Sequence, residues 1–333
     1  MQRILKLFAI FIIVASGVSG WYWMEYNTFL MTPVKNTGSQ IYTITSGSSI
    51  KKVSQDLYRL GIIEHPNYFK LYARWEKLSS KIKAGEYVIE AGQTPPELLK
   101  LFVAGKVKNY HLTIPEGWTF KQILSAIKAS PYLIHTLDKL DKEAIMNKLG
   151  YPGRHPEGYF YPDTYFFPKG TTDVSFLKRS LITMERILAK EWHQRDKKIP
   201  LKTPYEALIL ASIVEKESGK KSERQKIAGV FIRRLNIKMR LQSDPTIIYG
   251  MGDAYKGNIR RKHINQKTAY NTYQIDGLPP TPIASPGVDA IRAVLHPAEG
   301  KYLYFVADGS GGHFFSKTLA EHNRAVKKYI LKR

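Results

Sequence analysis

The chain has 333 residues, room for two domains plus an appendage, and its 43% hydrophobic content is ample for real cores. It contains no cysteine, which excludes disulfides, thiolate metal sites and cysteine nucleophiles. A formal charge of +23, from 51 basic against 28 acidic residues, favours a polyanionic partner: nucleic acid, anionic lipid or an acidic polymer such as a cell wall.

In chain order, Arg3 and Lys6 precede Leu7–Met24, "LFAIFIIVASGVSGWYWM", an 18-residue run without charge. At about 1.5 Å per residue it approaches the ~30 Å thickness of bilayer hydrocarbon. Trp21, Tyr22 and Trp23 read as an interfacial belt, and the flanking cations argue for a cytoplasmic tip, so residues 1–25 read as a transmembrane anchor. A cleaved signal peptide is the rival, since Ala15, Gly17 and Ser19 are small; the late aromatic cluster favours the anchor. On either reading the rest lies beyond the cytoplasmic membrane, which sets nucleic acid aside and leaves wall polymer or lipid headgroups. The expected location is therefore a bacterial inner membrane, single-pass, with the C-terminal domains periplasmic.

Residues 26–40 are polar and read as a linker. Ile41–Thr45 suits a strand, Ser46-Gly47-Ser48 a turn and Ser49 a helix cap, after which Ile50, Val53 and Leu57 fall at helical spacing. A second helix is expected over Tyr68–Leu78 and a strand over Ile82–Gly92. "YTITSGSSIKKVS" resembles the opening of a LysM sugar-binding module, and "IKAGEYVI" is similar to the strand that closes one. The resemblance implies a wall-binding element over residues 41–106; a small α/β spacer without ligand fits the same pattern. Thr94-Pro95-Pro96-Glu97 has capping-box form and opens a helix that Gly105 closes.

From residue 107 to 333 the chain reads as one α+β domain. Val107–Ile114 alternates like a strand and Thr119 starts a helix. Thr203-Pro204-Tyr205-Glu206 is another capping box, and Ala207–Val214 is apolar apart from Ser212, a helix buried on all sides. It ends in Glu215-Lys216-Glu217-Ser218-Gly219, with Gly219 the expected left-handed stop. A carboxylate in that last turn meets the negative end of the helix dipole, and burial penalises its charge further. Both effects favour the protonated acid that general acid catalysis on a glycosidic oxygen needs. Two residues apart means about 200° of rotation, so one glutamate can face a cleft while the other packs elsewhere. A plain solvated last turn is the alternative.

"ASIVEKES" followed by "SERQKIAGVFIRRLNIKMRLQSDPTIIYG" resembles the signature of the YceG-like, MltG-type family of endolytic murein transglycosylases. The likeness continues through "EGYFYPDTYFF", "TAYNTY", "GLPPTPIASPG", His296-Pro297 and "YLYFVADGSGGHFF". It implies Glu217 as the catalytic residue and a membrane-anchored periplasmic lyase. That enzyme would cut the β-1,4 MurNAc–GlcNAc bond of nascent peptidoglycan strands, leave a 1,6-anhydroMurNAc end and so terminate elongation, beside penicillin-binding proteins of the elongation machinery. A muramidase of the same bond and a non-catalytic wall-binding scaffold are the other readings.

Candidate sugar-binding residues are Gln242, Ser243, Asp244, Tyr270, Asn271, Tyr273, Glu157 and Asp163. Five of them have a plainer role: Asp244 as a helix cap before Pro245, Tyr270, Asn271 and Tyr273 as a half-buried strand or turn, and Asp163 with Thr164 as turn chemistry. Ser222-Glu223-Arg224-Gln225 has capping-box form, placing Glu223 in a first turn. His296, His313 and His322 lack metal-ligand spacing, HExxH and GxSxG are absent, and no cofactor or metal is called for. Asp308-Gly309 signals a hairpin.

Overall fold

In the computed structural model, which describes residues 1–331, the apolar run sits in one helix, α1 (Gln2–Met31). It is long and apolar enough to cross a membrane, and its apolar window is unburied. The helix does not stop where the apolar run stops. Residues 26–31, expected in a polar linker, continue it, and Phe29 and Val34 enter a hydrophobic core. The reason is local: apolar side chains at Tyr26, Phe29 and Leu30 recur at helical spacing and have a surface to cover.

The chain divides into two compact units. The first, Met1–Tyr110 with Phe167–Lys169, continues from α1 through β1 (Gln40–Ile44), α2 (Ile50–Arg59), α3 (Pro66–Trp75), β2 (Gly85–Ile89) and α4 (Pro95–Ala104). Strands β1 and β2 pair antiparallel with Tyr42 opposite Tyr87. Ser49 caps α2 by accepting the Lys52 N–H, and Ile50, Val53 and Leu57 form its buried face. Thr94 and Glu97 complete the capping box of α4, which Gly105 ends with φ 69°. Tyr87 is fully buried, yet its hydroxyl donates to the carbonyls of Lys83 at 2.7 Å and Phe102 at 3.2 Å. Side chains such as Phe69, Leu98 and Phe102 have no exposure, and burial of each stabilises by about 1.5–3 kcal/mol.

The second unit, His111–Phe166 and Gly170 onward, is mixed α+β. Its elements are β3 (Asn109–Thr113, which begins in the first unit), α5 (Phe120–Ala129), β4 (Leu133–Ile134), α6 (Lys142–Leu149), β5 (Thr164–Pro168, which ends in the first unit) and β6 (Thr171–Thr172). There follow α7 (Asp173–His193), α8 (Pro204–Glu217), α9 (Arg224–Asn236), α10 (Asp244–Met251), α11 (Arg261–Asn265), α12 (Val288–Leu295), β7 (Tyr304–Ala307), β8 (His313–Ser316) and α13 (Leu319–Tyr329). The sheets are small: β3 with β5, β4 with β6, and the hairpin β7–β8, in which Phe305 faces Phe315. Asp308 starts the hairpin turn, and Gly309 and Gly311 take its left-handed positions at φ 82° and 81°.

Helix α8 is the axis of this unit. Every residue from Ala207 to Glu215 is buried, with α7, α9, α10 and α12 packed around it. The single hydroxyl in that run is fully used: Ser212 Oγ donates to the Ile209 carbonyl at 2.7 Å and accepts the Ile283 N–H at 2.9 Å. Thr203 caps the helix, but Glu206 does not close the expected box. Its carboxylate accepts from the Lys202 N–H, one residue further back.

Candidate active site

At its C-terminal end α8 delivers Glu215 and Glu217 in opposite directions. The helix stops at Ser218 in extended backbone (φ −96°, ψ 104°), so Gly219 is not the left-handed terminator its position implied. Ser218 makes its own ending by donating Oγ–H and N–H to the Val214 carbonyl at 2.8 and 3.0 Å.

Glu215 turns inward. One oxygen meets Arg224, buried at the start of α9, and the other accepts the Gly287 N–H at 2.9 Å. Arg224 also contacts Glu116 at 3.2 Å and Asp289 at 3.8 Å. A Cβ at Gly287 would meet the Glu116 carboxylate and force that side chain to shift from its contact with Arg224. Burial raises the Glu215 carboxyl above its ordinary value, against the Gly287 bond and Arg224, which lower it. The role is architectural.

Glu217 turns the other way, half-buried, into a cavity of about 480 Å³. Its Oε1 accepts from Ser243 Oγ at 2.6 Å. Burial pushes its carboxyl up to about 7, with Asp244 adding to the rise; the Ser243 bond, His313 and Arg234 pull the other way. The group therefore stands near half-protonated at neutral pH, which suits an acid that must also act as a base.

The wall opposite is built by the irregular segment ahead of α10. Gln242 sits there with φ 50° and donates its N–H to the Thr272 carbonyl at 3.1 Å. Ser243, 1% exposed, donates its N–H to Thr272 Oγ1 at 2.9 Å, which fixes the hydroxyl beneath Glu217. Ser243, not Asp244, is the helix cap; Asp244 is the first residue of α10, and its Oδ1 accepts from the Tyr273 hydroxyl at 2.8 Å. Gln242, Asp244 and Tyr273 line the cavity with Glu217, and Ser243 bonds to Glu217 from below.

The other four sequence candidates lie elsewhere. Glu157 is 2% exposed and accepts from the Phe120 N–H at 2.8 Å and the Tyr249 hydroxyl at 3.0 Å. Asp163 is exposed and receives the Thr164 N–H at 2.7 Å, the turn chemistry its neighbour implied. Tyr270 bonds to Thr281 at 2.8 Å and packs against the core. Asn271 is buried, and its amide donates to the carbonyls of His263, Ile264 and Gln266, closing the loop after α11.

Several cavity residues had no signal in the sequence as site residues. Arg234 is buried, with its guanidinium donating to the carbonyls of Leu303 at 2.7 Å and Leu241 at 2.8 Å, and it lies over the Tyr304 ring. His313 of β8 is held by Glu223, whose carboxylate takes Nδ1 at 2.8 Å and the backbone N–H at 3.2 Å. Glu223, expected in a first helical turn, ends a single 3-10 turn and holds the N-cap position of α9 without a side-chain cap bond. His322 stacks on Tyr304, and burial pushes its imidazole below its ordinary value. Among the described residues no cluster of His, Asp and Glu could hold a metal ion.

The YceG-like family model matches residues 42–328. An endolytic murein transglycosylase of Bacillus subtilis (strain 168) is 32% identical over 92% of this chain and 89% of its own length. One from Streptococcus pneumoniae serotype 2 (strain D39) is 29% identical over 97% of this chain and 64% of its own. A crystal structure of a YceG-like protein from Listeria monocytogenes is similar with a TM-score of 0.56 and 32% identity, covering 87% of this chain and 99% of that one. With nearly its whole length matched, the chain belongs to the YceG-like family.

Proposed function

We propose that this chain is a peptidoglycan lytic transglycosylase, with Glu217 as its general acid and base. The observation that carries the reading is a half-buried carboxyl pushed up to about 7, at the wall of a cavity whose size is in the range of small-ligand sites, about 300–1,000 Å³. In the first step Glu217 protonates the β-1,4 glycosidic oxygen as the bond breaks. In the second its carboxylate accepts the proton of the muramyl C6 hydroxyl, which attacks C1 and leaves a 1,6-anhydroMurNAc end. The nucleophile belongs to the substrate, so no second catalytic carboxylate is required, and the reaction has the advantage of intramolecularity. Gln242, Asp244 and Tyr273 are the proposed sugar contacts, and Ser243 holds Glu217 in place. Names of the relatives as endolytic murein transglycosylases support the substrate class.

In the same reading α1 is a single-pass anchor, the remainder is periplasmic, residues 41–106 bind glycan as a LysM-like module ahead of a catalytic domain from 107, and penicillin-binding proteins are the neighbours. Asp244, the other acidic residue lining the cavity among those described, is what a hydrolase would recruit. One of its two oxygens accepts from the Tyr273 hydroxyl. Mass analysis of muropeptides released from sacculi tests the choice: anhydro ends are expected, and reducing ends would make the enzyme a muramidase.

A further inference from the structure

We infer that helix α3 is a second membrane contact, lying in the same bilayer interface that the aromatic cluster of α1 marks. This rests on the reading of α1 as an anchor. Tyr68, near the start of α3, meets the rings of Tyr22, Tyr26 and Phe29 at 5.7–5.8 Å. Further along α3, Leu71 and Trp75 share an apolar groove of about 530 Å³ with Val18, Ser19 and Tyr22. Helix α3 thus runs back along α1 toward the anchor's interior. Val18 precedes Met24, the end of the uncharged run, by six residues, about 9 Å along a helix. Trp75 is therefore carried to the depth at which interfacial helices bury their apolar faces, roughly 5–10 Å below the headgroups.

The composition of the exposed face agrees. Trp75 is 76% exposed and Leu71 48%, an exposed apolar pair one helical turn apart on α3. Arg74, Glu76 and Lys77 are exposed beside them, and the two cations have stems long enough to carry their charges to anionic headgroups. The groove continues the surface of the apolar helix, which points to lipid as its occupant; a partner's transmembrane helix is the competing one.

The absence of cysteine permits a direct test. Full-length chains carrying Leu71→Cys, Trp75→Cys or Ile13→Cys, each labelled with an environment-sensitive dye, are reconstituted in vesicles with a fraction of anionic lipid. All three positions are exposed, so labelling leaves the packed core intact. Dyes at 71 and 75 are expected to be quenched by lipids carrying shallow spin labels, with iodide quenching several-fold below that of free dye. Ile13 reports the anchor alone, since it lies outside the groove. Lipid quenching at 13, with dyes at 71 and 75 open to iodide or shielded from both quenchers, overturns the inference while the anchor stands. No lipid quenching at 13 removes the anchor, and this inference with it.

Discussion

Replacing Ser243 by Ala removes one atom from the site, and its effect can be worked out in advance. The hydroxyl donates to Glu217 at 2.6 Å, a bond that favours the ionised carboxylate and opposes the rise due to burial. A hydrogen bond to a charged group contributes roughly 1.5–3 kcal/mol, and one pKa unit corresponds to about 1.36 kcal/mol. Loss of the donor should therefore raise the Glu217 carboxyl by about one to two pH units from its value of about 7. The first step needs the protonated acid, so the alkaline limb of the rate profile moves up in pH, while activity falls because the carboxyl loses its fixed position. The fold should survive, since the Ser243 N–H keeps Thr272 and its carbonyl keeps the Thr246 hydroxyl. The assay is muropeptide release from sacculi between pH 5 and 10, wild type against Ser243→Ala. A limb that stays in place, or moves down, would show that the hydroxyl does not act on this carboxyl.

Three other outcomes follow from the same geometry. A Glu217 carboxyl held at about 7 in the fold against an ordinary 4.5 means that the folded state binds more protons between those values, so stability falls as pH rises through the window. Glu217→Gln should therefore be more stable than wild type at pH 8, by at most about 3 kcal/mol, with the gap closing toward pH 4, read by thermal denaturation. Glu215→Gln should do the opposite, because it leaves Arg224 buried with weaker partners; about 3 kcal/mol of stability is lost, and a Tm matching wild type would contradict the architectural role. Tyr273→Phe removes one hydroxyl from Asp244 and should lower kcat/KM about five- to tenfold at nearly constant Tm; no change in kcat/KM would remove Tyr273 from the site.

Local signals proved most legible where one rule acted alone. The caps at Ser49, Thr94 and Thr119, the left-handed Gly105 and the Asp308 hairpin were readable because each is satisfied within a few residues. The 200° separation of Glu215 and Glu217 was readable for the same reason, being helix geometry. Tertiary partners overrode local rules elsewhere. Ser222 and Gln225 have capping-box spacing, but α9 begins at Arg224 without a side-chain cap, and the Glu223 carboxylate between them goes to His313, ninety residues away. Gly219 has the composition of a helix stop, yet Ser218 closes the helix first. Glu157 and Asn271 are polar residues in long motifs, and their side chains serve the interior. Arg234, His313 and His322 reach the cavity from distant elements, which no spacing rule reports.

The central claim is that one carboxyl group does the acid and base work. Wild type and Glu217→Gln, incubated with purified sacculi and compared by muropeptide mass analysis, test it most directly. Loss of all glycan cleavage with retained fold and wall binding is predicted; release of muropeptides by the variant at the wild-type rate would contradict it.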